Sequence, residues 1–321
     1  MIEQPINPID QDYEVDLLGS IQQALAGLQG FDVMALELIQ NADDAGAEEL
    51  IFDVRDDKLF VQNDGQFSSC GLIAKRCPWE ETGGPDGLRR PCNFHAIRMM
   101  ASRNKIQASG QIGRFGIGFV SVFQVTDVPI IRSNGIEMRL NPIDGKAPTL
   151  KHADGGGTEF ELPWASANSP TRRSLNASQT PPEIVPLMVE NIIDAMERGL
   201  YFLRCLRRVE LRRNGVPEKS VTVRREDGVL TFEVKPESRI EHWKILTRDC
   251  GDLAGEHEIF DKFPILRDLD RTTAVQVAIP LFEHQIEGLL YAYLPTEQPS
   301  GMPVHINGDF FPHPDRRSIV C

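Results

Sequence analysis

No apolar run in the chain approaches the roughly 20 residues that a membrane-crossing helix needs, and the first ten residues, MIEQPINPID, lack the basic start and apolar stretch of a secretory signal. Both absences point to a soluble, cytoplasmic chain with no membrane partner. Positive charge is also scarce: 34 Lys and Arg face 47 Asp and Glu, a formal charge of −13, which repels phosphate backbones and anionic membranes at long range. Binding to nucleic acid through a general basic surface is therefore disfavoured, and the local run Arg204, Arg207, Arg208, Arg212 and Arg213 reads as a solvated face. Cysteine is sparse, with six in 321 residues, and without an export signal these are expected to be reduced thiols rather than a disulfide frame. Cys70, Cys77, Cys92 and His95 offer ligand types that zinc accepts, but their spacing lacks paired short knuckles, so no zinc site is expected. There is no internal repeat, and neither common phosphate loop is found: no Gly-Lys-Ser/Thr ending and no G-x-G-x-x-G directly after a strand.

What is present suggests two domains, because 321 residues exceed what one core usually serves. Helical spacing runs from Val15 to Leu28 and from Phe31 to Ala45, each stopped by a glycine, Gly30 and Gly46. Alternation over Leu50–Val54 and Lys58–Gln62 reads as a hairpin that delivers Asn63, Asp64 and Gly65 at its end. Residues 68–93 read as an excursion with little regular structure, followed by a brief helix and a glycine-rich loop. Strands are expected around Pro129–Leu140 and Thr158–Leu162, and the Ser, Asn, Thr and Pro content of residues 166–182 marks a linker. Beyond it, a helix over Glu183–Leu200 and strands at Val209–Arg213, Val221–Arg225, Val229–Val234, Ala274–Pro280 and Gly288–Leu294 describe an α+β unit. The expected division is thus residues 1–165, a linker over 166–182, and residues 183–321.

Three segments carry chemistry. On a helical wheel Glu37, Asn41 and Asp44 share a narrow stripe beside the apolar face of Phe31, Met34, Ala35, Leu38, Ile39, Ala42 and Ala45. An asparagine oxygen is a hard, neutral magnesium ligand, and a carboxylate one turn away can take a proton from water. Asn63-Asp64-Gly65 could accept from an adenine amino group, although alone it is turn chemistry. Gly113, Gly116 and Gly118, in the order G-x-x-G-x-G, allow backbone N–H groups to converge on phosphate oxygens.

In order and spacing, ELIQNADDAG, NDGQF, GRFGIGF and GGGTEFELP resemble the boxes of the GHKL (Bergerat-fold) ATPases. That superfamily includes gyrase B, the 90-kilodalton heat-shock chaperones, histidine kinases and MutL. Within it, ELIQNADDAGA, FGIGFVSVFQVTD and MPVHINGDFFPHPDRR resemble sacsin-type modules. The resemblance implies a mixed, largely antiparallel α/β sandwich with helices on one face, followed by a smaller α+β domain. It implies ATP and Mg2+ as ligands, with Glu37 the general base, Asn41 the magnesium ligand and Asp44 a further nucleotide contact. Asn63 stands where the superfamily has an adenine-reading aspartate, with Asp64 beside it, so either could read the base; Gly65 lets it approach. Gly113, Gly116, Ile117, Gly118 and Phe119 would form the phosphate cradle and lid hinge, and Thr158 would reach adenine through water. Arg316 and Arg317 would bring positive charge to the terminal phosphate, as an arginine of the second domain does in the 90-kilodalton chaperones.

The resulting expectation is a slow, magnesium-dependent ATPase whose lid closure drives a chaperone-like or remodelling machine, with a protein client or further domains of a larger chain as partner. Glu37 favours hydrolysis over the histidine-kinase branch. Two other readings stay open: an ATP-gated homodimerisation or partner-binding switch with little hydrolysis, and a MutL-like DNA-associated ATPase. Because Cys321 directly follows a segment expected inside a domain, the chain is expected to be a piece of something longer.

Overall fold

The computed structural model describes residues 16–28, 30–72, 75–99, 118–153, 155–180, 182–249, 274–283, 285–310, 312–313 and 316–319. In chain order the helices are α1 (Leu17–Gly27), α2 (Phe31–Asp44), α3 (Trp79–Thr82), α4 (Asn93–Ala96), α5 (Pro170–Leu175) and α6 (Val185–Arg198). The strands are β1 (Glu49–Val54), β2 (Lys58–Asn63), β3 (Ile130–Ser133), β4 (Ile136–Arg139), β5 (Thr149–Lys151), β6 (Thr158–Pro163), β7 (Arg208–Arg213), β8 (Val216–Glu226), β9 (Val229–Lys235), β10 (Arg239–Asp249), β11 (Ala274–Pro280), β12 (Leu289–Ala292), β13 (Leu294–Pro299) and β14 (His305–Asn307). Among the described residues the fold is α+β, built on one large mixed sheet ordered β13-β12-β14-β11-β10-β9-β8-β7-β1-β2-β6-β3-β4-β5. Its pairings are antiparallel except β1 with β7 and β12 with β14.

Three tight hairpins come from one local device. Asn134-Gly135, Asn214-Gly215 and Asp227-Gly228 each place two successive residues at positive φ, between 46° and 82°. That is the turn whose twist matches paired strands, and Asn or Asp followed by Gly tolerates it best. The first helix starts where the Asp16 carboxylate accepts the Gly19 N–H at 2.9 Å, satisfying an otherwise orphaned donor. In α6 the buried residues Met188, Val189, Ile192, Ala195 and Met196 recur at helical spacing and pack that helix on α2. Helix α2 is buried almost all round, with Met34, Ala35, Leu38, Ile39 and Ala42 among its core residues. Each large apolar side chain so buried contributes about 1.5–3 kcal/mol.

The parallel pairing of β1 with β7, Glu49↔Arg208 through Val54↔Arg213, carries the sheet continuously from the early strands to the late ones. It is fastened by Asp43, whose Oδ1 accepts the backbone N–H groups of Arg204, Cys205 and Leu206 at 3.0, 2.7 and 2.9 Å. The stretch read as a linker is also pinned: Arg172, on α5, pairs with Asp127 at 2.6 Å and donates to the carbonyls of Phe123 and Thr126 at 2.6 and 2.8 Å. Strands β5, β10, β13 and β14 differ from the sequence expectation. In β10 most positions are exposed or half-buried, so no alternation marks it, yet β9 and β11 pair it on both sides.

An aromatic cluster fills the core beneath the late strands, with His305 stacked on Trp243 at 5.2 Å and edge-on to Tyr201 and Tyr291. The His305 Nδ1 accepts the Leu289 N–H at 3.1 Å, which fixes the proton of the neutral ring on Nε2. Burial pushes its pKa down from 6.5 to about 4. The folded state holds this ring neutral while the unfolded chain protonates it near 6.5, so the stabilisation is intact above that pH and is lost as pH falls towards 4. The loss amounts to at most about 3 kcal/mol. Chemical denaturation across that window should show declining stability, and His305→Gln should flatten the decline; an identical slope in the variant would remove His305 as its cause.

Candidate functional site

The polar stripe of α2 faces a cavity of about 910 Å³. Glu37, Asn41, Asp44 and Ala45 line it from the helix, and Gly118 and Phe119 line it from the short helical stretch that follows the glycine-rich segment. That stretch, Gly118–Gln124, is a 3-10 helix anchored at its far end by the Arg172 contacts and by Gln124, whose amide donates to the Leu28 and Gly30 carbonyls at 3.0 and 3.2 Å. Gly118 is set hard against Glu37: a Cβ built on it would fall 1.6 Å from the Glu37 Oε2. Only glycine lets the backbone come this close to the carboxylate.

Glu37 is 4% exposed, and its Oε1 lies 2.8 Å from the Arg316 Nη2. An arginine near the end of the chain thus reaches the middle of α2 and lines the same cavity. Arg317 takes another direction, is half-exposed and lies 3.5 Å from Glu297. Asp44 pairs with Arg204 at 3.2 Å while still lining the cavity. Gly113, Gly116 and Ile117 lie outside the described residues.

Asn63, Asp64, Gly65 and Thr158 form a second group that does not line the cavity among the described residues. Asn63 is buried, and its Oδ1 accepts the Gly65 N–H at 3.0 Å. Asp64 turns outward, with Oδ1 accepting the Glu48 and Glu49 N–H groups at 2.8 and 3.0 Å. Thr158 is wholly buried, and its hydroxyl donates to the Gly65 carbonyl at 2.7 Å beside the Ser133 hydroxyl. The group adjoins the end of α2: a Cβ on Gly65 would meet the Ala45 carbonyl at 3.0 Å.

Sequence reasoning did not single out the basic side chains that also line the cavity, Lys75, Arg76, Arg98 and Lys146, which suit an anionic ligand. They are scattered along the chain in no motif, so only the fold assembles them. It also missed Asp43 and Arg172, whose roles depend on backbone groups distant in sequence. Cys77 and His95, from the irregular excursion, line the cavity as well.

Residues 14–144 match the family described as Sacsin domain. The chain is 35% identical to human sacsin over 113 residues, 33% of this chain and 2% of sacsin. It is 32% identical to the Arabidopsis thaliana protein NO VEIN over 116 residues, 35% of this chain and 4% of that protein. These matches therefore span only a small part of either relative. Among solved structures, the N-terminal domain of a DNA repair protein overlaps 95% of this chain and 92% of that one at 12% identity, with a TM-score of 0.47. The ATPase domain of the Aquifex aeolicus mismatch repair endonuclease MutL overlaps 84% of this chain and 85% of that one at 9% identity, with a TM-score of 0.38. Overlaps this loose carry no argument about fold or function. The matched stretch contains the α2 stripe, the Asn63–Gly65 turn and the glycine-rich segment, whereas Thr158 and Arg316 lie beyond it.

The contact between Gly118 and Glu37 makes a testable coupling. Gly118→Ala should destabilise the chain by about 1–3 kcal/mol through overpacking. In a Glu37→Ala background the same change should be nearly neutral, because the clashing carboxylate is gone. Denaturation of the four proteins of this cycle measures it, and strictly additive effects would contradict the contact.

Proposed function

We propose that the cavity over α2 binds ATP with magnesium, and that the chain hydrolyses it slowly to drive closure of the glycine-rich segment and a conformational change in a chaperone-like or remodelling machine. The observation that carries this reading is one helix presenting Glu37, Asn41 and Asp44 to a cavity of about 910 Å³ while Arg316 is brought against Glu37. The volume suits a nucleotide-sized ligand.

In this reading Glu37 accepts a proton from the attacking water, its position fixed by burial and by Gly118. Asn41, half-buried on the cavity wall, presents the neutral oxygen that a hard divalent cation prefers, and the neighbouring Asp44 adds a carboxylate to the same wall. Bound magnesium would offset charge on the phosphates. Gly113, Gly116, Ile117, Gly118 and Phe119 would hold the phosphates and hinge the lid. Asn63 is assigned to the adenine in preference to Asp64, because the Asp64 Oδ1 takes two backbone amides, those of Glu48 and Glu49, whereas the Asn63 Oδ1 takes one, that of Gly65. Thr158 holds the Gly65 backbone and retains hydroxyl lone pairs for a bridging water. Of the arginine pair, Arg316 is the one assigned to the terminal phosphate, since it already lies within the cavity.

The same ion pair favours a second reading, in which ATP acts mainly as a switch for homodimerisation or partner capture. Arg316 at 2.8 Å competes with water for the Glu37 carboxylate, which makes turnover slow unless the nucleotide draws the guanidinium away. We further assign residues 1–165 to nucleotide binding and 183–321 to transmission towards a protein client or further domains. A MutL-like DNA-associated role is disfavoured by the formal charge of −13.

Glu37→Ala should lower phosphate release roughly 10²-fold to 10⁴-fold while ATP binding persists. Unchanged turnover would remove Glu37 from the chemistry. Sedimentation with ATP, ADP and a nonhydrolysable analogue tests the switch, which fails if oligomeric state ignores the nucleotide.

A further inference from the structure

Four side chains that the sequence spacing had discounted come together beside the cavity. The ligand atoms of Cys70, Cys77, Cys92 and His95 all lie within 4.8 Å of one another. Cys77, Cys92 and His95 are each no more than 2% exposed, and Cys70 is half-buried. The His95 Nδ1 lies 3.4 Å from the Cys70 Sγ and 3.2 Å from the Cys92 Sγ. Tetrahedral zinc, with Zn–S near 2.3 Å and Zn–N near 2.0–2.1 Å, sets its ligand atoms roughly 3.5–3.8 Å apart. The two spacings from His95 to sulfur need only a few tenths of an ångström to meet that, and the widest pair, within 4.8 Å, closes by about one ångström.

Hydrogen bonding among the four groups accounts for this convergence less well. A single ring nitrogen carries either one proton or one lone pair, so Nδ1 is suited to one thiol, yet two sulfurs approach it almost equally. A cation among them satisfies all three. The Cys92 backbone N–H donates to the Cys77 Sγ at 3.3 Å, the kind of contact that stabilises a thiolate bound to a metal. The spacing is legible afterwards. Cys92 and His95 form one short knuckle across the start of α4, and the fold rather than the sequence supplies the other two ligands.

The surroundings give such a site a purpose. Between residues 68 and 92 the only helix among the described residues is the single turn α3, too little regular structure to hold the segment by itself. Its ends are joined where the Ser68 N–H donates to the Asn93 Oδ1 at 3.1 Å and the Ser68 hydroxyl meets the same oxygen. Metal clips that close such loops remove chain entropy from the unfolded state.

We propose that Cys70, Cys77, Cys92 and His95 bind one zinc ion in a closed, structural Cys₃His site that clips the 68–95 segment into the cavity wall. The site does not depend on what fills the cavity.

The test uses the whole chain, purified without chelators after growth with zinc. Elemental analysis should find about one zinc per chain. Cys92→Ser and His95→Ala should lose it, while Cys205→Ser, outside the cluster, should keep it. Cobalt titrated into the metal-free wild type should give the intense visible bands of tetrahedral Co2+ and a near-ultraviolet thiolate charge-transfer band, saturating at one equivalent. This arm decides the matter even if the variants fail to fold. A chain without zinc, an octahedral cobalt spectrum, zinc retained by both ligand variants, or a disulfide between two of these cysteines would each overturn the proposal.

Discussion

A single buried carboxylate organises this molecule. Asp43, on the side of α2 away from the cavity lining, collects three consecutive backbone N–H groups at residues 204–206, and so fixes where β7 begins against β1. Such bonds to an ionised acceptor are stronger than neutral ones, and removing the acceptor would strand three donors in the interior. Because α2 is held on that side, its next polar stripe has a fixed direction. Glu37, Asn41 and Asp44 face one open volume rather than solvent at large. The same helix therefore serves as the hub of the core and as the floor of the site.

The walls around that floor are fastened from distant parts of the chain. Arg172 holds the far end of the stretch that begins at Gly118, Gln124 clamps the junction of α1 and α2, and Arg316 returns from near the end of the chain to meet Glu37. A rigid core with a wall built from irregular segments is the arrangement expected of a site that must admit and enclose a ligand. The Cys and His cluster lies in the least regular of those walls, within residues 68–95.

Much of this was legible in the residues. The helical period and glycine stops of α1 and α2, the β1–β2 hairpin, α6 and most strands follow from patterning, and the stripe on α2 was visible on a helical wheel. The ordered boxes also point to a sacsin-type module, and residues 14–144 match the family described as Sacsin domain. Strand β10 was not legible, because a strand hydrogen-bonded on both edges but exposed along most of its length shows no alternation. Asp43 could not be distinguished from its neighbour Asp44 by type, since its partners are backbone groups more than 160 residues away. The metal-type cluster was set aside on spacing, which reports only ligands that are close in sequence. The turn at Asn63-Asp64 leaves two acceptors open in the sequence, and the backbone amides each of them takes come from the fold.

The central claim is that α2 presents a metal-dependent nucleotide site. Calorimetric titration of the wild-type chain and Asn41→Ala with a nonhydrolysable ATP analogue, with and without magnesium, tests it most directly. The account predicts binding by the wild type that tightens with magnesium, and loss of that magnesium-dependent gain in the variant. Binding that ignores both magnesium and the substitution, or no binding of adenine nucleotide under any divalent-ion condition, would contradict it.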